Sequence, residues 1–181
     1  MVGALGKLSQ RIAGAFWQAD GAFGRWDAAA WALAAMWAAA MLALKLSAYR
    51  MGAYTGDGIL FANALVNTSP WAGEWLRYAP DGFDRGFVSL LEDHFQPTLL
   101  LLAPLVQAFG LDFLFSFPVL AALVAVFVLQ RMMLQGQVPA PLRLVVVVLF
   151  LCNVFFMRAV FDGSHGFHNS ALFILLLPPM V

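Results

Sequence analysis

Three polar islands lie among long apolar runs of this chain: Thr55-Gly56-Asp57-Gly58-Ile59, then Glu92-Asp93-His94-Phe95-Gln96-Pro97, then Phe161-Asp162-Gly163-Ser164-His165-Gly166-Phe167-His168-Asn169. A carboxylate or a carboxylate–imidazole pair beside a bilayer is costly unless it pairs, reaches water or binds something. Asp57 sits in a Gly-flanked turn. It can serve as a general base or metal-binding carboxylate next to a membrane-embedded substrate. It can equally cap a helix over Gly58–Thr68, a contribution of about 1 kcal/mol. Asp93 beside His94 can set the imidazole tautomer, although sequence neighbours face different ways on a helix; the other reading is an interfacial turn. His165 and His168 share a face if their segment is helical. With Asp162 they would then offer a facial metal site, so a divalent cation is a candidate cofactor. Gly163 and Gly166 favour a loop instead, where that spacing carries no geometry. Arg158, near the end of an apolar run, can grip a lipid phosphate bidentately or snorkel to the interface. Asn63 and Asn67 stand one helical turn apart, forming a polar face toward a site or simply solvating a loop helix.

The elements that must position these groups are membrane elements. Of 181 residues, 62% are hydrophobic and 11% charged, against about 25% charged in soluble domains. The formal net charge of zero gives no footprint for nucleic acid. Cys152 is the single cysteine, so an internal disulfide is excluded, and one Cys with three His makes a closed structural zinc site improbable. No GxGxxG, GxxxxGK[ST], HExxH or GxSxG pattern is present, which leaves soluble nucleotide and hydrolase chemistries without support.

Residues 1–26 read as an amphipathic surface segment, with Leu5, Leu8, Ile12, Phe16 and Phe23 at roughly helical spacing, or as a frayed polar leader, since Gly3, Gly6, Gly14, Gly21 and Gly24 weaken any helix. The remainder, 27–181, reads as one membrane domain. Spans are expected at about 28–48, 113–130 and 143–160, with a fourth begun at 170–181; each full span needs roughly 20 apolar residues. The first is too far from the N-terminus and too poor in cleavage signal to be a signal peptide, and is taken as a retained anchor. Residues 49–112 form a long loop, and such a length points to function. Within it Trp71 and Trp75 suit the membrane interface. Thr98–Phe109, opened by Pro97 and closed by Gly110, is expected as a half-buried interfacial helix rather than a crossing. Lys7, Arg11, Arg25, Arg131 and Arg143 then mark the cytoplasmic side. That puts 49–112 and 161–169 outside, with Lys45, Arg50 and Arg158 snorkelling or serving the outer site. The expected fold is therefore all-α, an integral helical bundle with a large external loop carrying interfacial helices.

The order of the pieces adds a resemblance. Thr55-Gly56-Asp57-Gly58-Ile59 leading to Asn67-Thr68, Asp93-His94-Phe95-Gln96-Pro97 leading to Ala103-Pro104-Leu105, and Phe167-His168-Asn169 together resemble a bacterial family of predicted membrane proteins of unknown function. Gly166 and Asn169 depart from its pattern. The resemblance covers about residues 50–175. That family looks related to GT-C glycosyltransferases, multispanning enzymes that take sugar from a polyprenyl-phosphate carrier. What the resemblance implies is an N-in first helix, localisation in the bacterial inner membrane, Asp57 as catalytic base, and His94 and His168 in the same outer cavity. Asp93, Asn67 and Arg158 would bind substrate, with Arg158 or a cation on the leaving phosphate. The implied partners are a membrane lipid, a polyprenyl-phosphate sugar and, since members are much longer, further membrane helices or subunits; this chain matches their N-terminal part. Two other classes compete: a non-catalytic membrane subunit of a larger complex, and a transporter element lined by Arg158 and the histidines.

Overall fold

The computed structural model describes residues 23–54, 57–69, 72, 74–78, 88, 89 and 97–161. The expected amphipathic segment up to residue 22 and the apolar run at 170–181 lie outside the described residues, as do Asp93, His94, Asp162, His165 and His168.

The elements, in chain order, are α1 (Arg25–Arg50), α2 (Asp57–Val66), β1 (Arg77–Tyr78), β2 (Val88–Ser89), a 3-10 turn (Pro97–Leu101), α3 (Ala103–Phe109), α4 (Leu111–Gln135), α5 (Ala140–Leu151) and α6 (Val154–Phe161). Most described residues are helical. Helices α1 and α4 are long and apolar enough to cross a membrane, and the bent pair α5–α6 makes a third if counted as one. At 1.5 Å per residue α1 and α4 each rise nearly 40 Å, more than the roughly 30 Å of a hydrocarbon core.

Helix α1 packs against both α4 and α5. Its buried positions Asp27, Ala30, Ala34, Ala38 and Lys45 recur every three, four or seven residues and so form one stripe. Three of the five are alanine, which lets the neighbouring backbones approach closely. The faces turned away from this core carry Met36, Leu44, Val124, Phe127, Leu149 and Phe155, all exposed in the isolated chain. Such an outward apolar coat suits hydrocarbon rather than water.

Direction follows from the long-range contacts. Trp31 meets Phe127, while Tyr49 stacks on Phe115 with ring centres 4.5 Å apart, so α1 and α4 run antiparallel. At the start of α1, Asp27 meets Arg143 of α5. At its other end, Lys45 meets Val160 and Phe161 of α6. The α5–α6 pair therefore runs parallel to α1. Because Arg50 at the end of α1 lies 3.3 Å from Asp112 at the start of α4, the chain leaves and re-enters the bundle at one end. Residues 51–110, including the 3-10 turn and α3, thus make no net passage along the bundle.

Two glycines make the reversals possible. Gly52 (φ +67°) follows the end of α1, where Ala53 N–H donates to Ala48 O at 2.9 Å in the wider loop of a helix stop signal. Gly110 (φ +79°) turns α3 directly into α4. Each adopts a conformation that side chains resist. Pro97 and Gly110 bound the short apolar helical segment as their residue types imply, and its burial is one-sided: Leu99, Leu102, Ala103 and Val106 inward, Leu101, Leu105 and Phe109 outward.

The third span differs from expectation. Instead of one helix over 143–160, α5 ends at Leu151 and α6 departs at 55°. The cause is Asn153, whose Oδ1 accepts from Phe155 N–H (3.0 Å) and Phe156 N–H (3.1 Å), capping a fresh helix start. Asn153→Ala should lower stability by about 1 kcal/mol, with Asn153→Asp nearly neutral. Thermal unfolding in lipid nanodiscs checks this, and an unchanged midpoint for the alanine variant would exclude the cap as the origin of the bend.

Candidate functional site

At the end of the bundle where α1 finishes, three features meet. Arg50 pairs with Asp112. Tyr49 and Tyr54 both stack on Phe115, the second at 5.2 Å. Lys45 is fully buried and donates to the Val160 and Phe161 carbonyls at 2.8 and 3.2 Å, with its Nζ 5.9 Å from the Tyr54 ring centre. An ammonium is tolerated here because carbonyls with two lone pairs each receive it.

Asp57 opens α2 three residues beyond Tyr54, so its Cα lies within about 11 Å of that of Tyr54 by chain reach alone. The side chain of Asp57 lies outside the described part. The predicted short helix is present, over Asp57–Val66. Phe61 and Leu65 form its buried face. Its far end is fastened by two side chains. Thr68 Oγ1 donates to Ala64 O (2.8 Å) and accepts from Leu76 N–H (3.1 Å). Gln107 of α3 donates to Thr68 O at 2.6 Å and to Leu65 O at 3.4 Å. These bonds answer backbone carbonyls that a helix end leaves open, and they hold α2 against α3 and the β1–β2 hairpin.

Arg158 lies in the last turn of α6, next to the carbonyls that Lys45 holds, and is exposed. Among the described residues it has no ion-pair partner. The other cations near it differ: Arg50 is paired and Lys45 is buried and bonded. Asn67 is elsewhere. It follows the end of α2, about 15 Å of helix rise from Asp57, and its side chain donates to Asn63 O at 3.0 Å and to the Asn63 side chain. This exposed pair satisfies itself. Asp57 and Asn67 are therefore at opposite ends of one helix, while Asp57 and Arg158 belong to the same end of the bundle.

At the opposite end is a constellation that sequence reasoning took for flanking charge. Arg143 and Asp27 are both fully buried and pair bidentately, Nε to Oδ1 at 2.7 Å and Nη2 to Oδ2 at 2.6 Å. Arg143 Nη1 also donates to Val138 O at 2.7 Å, and Asp27 Oδ2 accepts from Gly24 N–H at 2.9 Å. This end ties α1 to the turn between α4 and α5. Expected as an interfacial marker of orientation, Arg143 is instead neutralised inside the bundle. Lys45, expected either to snorkel or to serve the outer site, is likewise inside. The available signal was scarcity: in a chain this apolar, a charge within or bordering a span calls for a partner. Choosing that partner needed the helix directions.

Among the described residues no group of three His, Cys, Asp or Glu gathers as a metal site; all three histidines are outside them. No protein-family model, no curated protein and no solved structure matches this chain.

Proposed function

We propose that this chain is a GT-C-related membrane protein that handles a lipid-linked sugar at the bundle end bearing Asp57 and Arg158, with that end at the outer face of a bacterial inner membrane. The observation carrying this reading is the exposed Arg158, without an ion-pair partner among the described residues, at the same end of the bundle as Asp57. A guanidinium at a helix end in an apolar setting fits a phosphate diester or monoester, which it can bind through two N–H groups. A carboxylate at the same bundle end suits removal of the acceptor hydroxyl proton, while the cation stabilises the carrier phosphate as it leaves. Asp93, His94 and His168 complete the reading as substrate or catalytic groups by resemblance, and a divalent cation remains compatible with it.

The test is sugar transfer from a polyprenyl-phosphate donor by the protein reconstituted in liposomes. Arg158→Ala should raise the KM for the donor about tenfold or more, the range for losing a charged hydrogen bond, and Arg158→Lys should recover part of it. Turnover indifferent to both variants would remove Arg158 from the phosphate site. No transfer from any lipid-linked sugar would leave the non-catalytic membrane subunit as the better account.

A further inference from the structure

We infer that Lys45 is a positioning residue: by holding the end of α6 against α1, it sets where Arg158 points, and so sets donor affinity. The inference rests on the proposed phosphate role of Arg158 and adds a buried group that this role does not itself require.

Helix α6 is short, with eight residues, and it starts after a break. A helix of two turns has little intrinsic stability, so its direction is fixed by what it touches. Besides apolar packing on α4 and α5, three specific contacts do so. Asn153 caps its start. Phe156 stacks between Phe150, 4.3 Å away, and Trp37 of α1, 6.0 Å away, and the Trp37 indole N–H points at Met157 Sδ at 3.1 Å. Lys45 Nζ then grips the Val160 and Phe161 carbonyls at the other end. Arg158 lies between the Trp37 and Lys45 contacts. A cation at this end of a helix is also favoured by the helix dipole. Asn153 and the aromatic stack locate the first turn; in the last turn, where Arg158 sits, Val160 is buried in the apolar core and, among the described residues, Lys45 supplies the polar tie to α1. Its long stem comes from α1, the helix whose end leads to Asp57. Lys45 therefore links the last turn of α6 to the helix whose end leads to Asp57.

The experiment uses two readouts. Spin labels at Met36→Cys and Arg158→Cys, in a Cys152→Ser background in nanodiscs, report the distance from α1 to the last turn of α6. Lys45→Met keeps the apolar stem and removes the donors. It should broaden or shift that distance distribution and, in the unlabelled protein with Arg158 intact, raise the donor KM about tenfold while changing kcat much less, as expected for misplacing a binding group. If Lys45→Met does not assemble, Trp37→Phe removes the contact to Met157 Sδ while keeping an aromatic ring against Phe156; it should give a smaller change of the same kind in both readouts. A distance distribution identical to that of the parent would overturn the positioning role. So would a shifted distribution with an unchanged donor KM. If the parent protein transfers no sugar, the proposed function fails, and the distance readout still decides whether Lys45 places the last turn of α6.

Discussion

Arg143→Met should destabilise the bundle by about 3–5 kcal/mol, the usual cost of removing one partner from a buried ion pair. The size follows from what is left behind. Asp27 is fully buried, and its two oxygens face the Arg143 guanidinium at 2.7 and 2.6 Å. Without Arg143 the carboxylate keeps backbone N–H donors such as Gly24 but no cation among the described residues, and a buried charge so poorly compensated is among the most costly defects a protein can carry. The Val138 carbonyl loses its donor as well. Asp27→Asn with Arg143→Met should restore much of the loss, because no charge then remains to be compensated and asparagine can still accept from Gly24. Thermal unfolding of the two single variants and the double variant in nanodiscs gives the coupling directly. Single effects that merely add would show that the two residues do not act as a pair. The effect is on assembly, and donor KM per folded molecule should stay close to that of the parent, since this pair is at the end of α1 remote from Asp57.

Asp57→Asn should reduce sugar transfer by a factor on the order of 10²–10⁴, the usual range for losing a general base, with insertion and thermal stability unchanged. This substitution separates the two roles available to the residue. At a helix start Asn and Asp are nearly equivalent caps, so a purely structural Asp57 would tolerate the exchange. An amide cannot take up the acceptor proton, so a catalytic Asp57 would not. Transfer at the parental rate would sink the base assignment. Loss of both transfer and stability would point to a structural contact of the carboxylate beyond capping. Because Asp57 opens α2 and the far end of that helix is fastened by Thr68 and Gln107, the backbone at residue 57 has support independent of its own side chain.

Much of the architecture was legible from residue types. The apolar runs gave α1 and α4, since a stretch that long without charge has few other stable solutions. Pro97 and Gly110 bounded the short helical segment, because one removes a backbone donor and the other permits a reversal. Asp57 followed by an apolar stretch gave α2. The break at Asn153 was less legible: Asn in an apolar helix is common enough, and only its side chain accepting from Phe155 and Phe156 shows it acting as a cap. The grouping of Asn67 with Asp57 ignored helix length, which separates them.

Residue types settle the surrounding medium and the menu of elements: hydropathy favours helices that satisfy their own backbone in an apolar medium, and Gly, Pro and Asp mark where they begin and turn. Which charges are hidden is a matter of packing. Lys45, Arg50, Arg143 and Arg158 look alike in a linear reading, four cations at the borders of apolar runs. Packing buries Lys45 on the carbonyls of α6 and Arg143 on Asp27, pairs Arg50 with Asp112, and leaves Arg158 exposed. Each of these depends on contacts between residues more than sixty positions apart, and the free energy of a charge depends on the partner and burial it finds there, which local sequence does not contain.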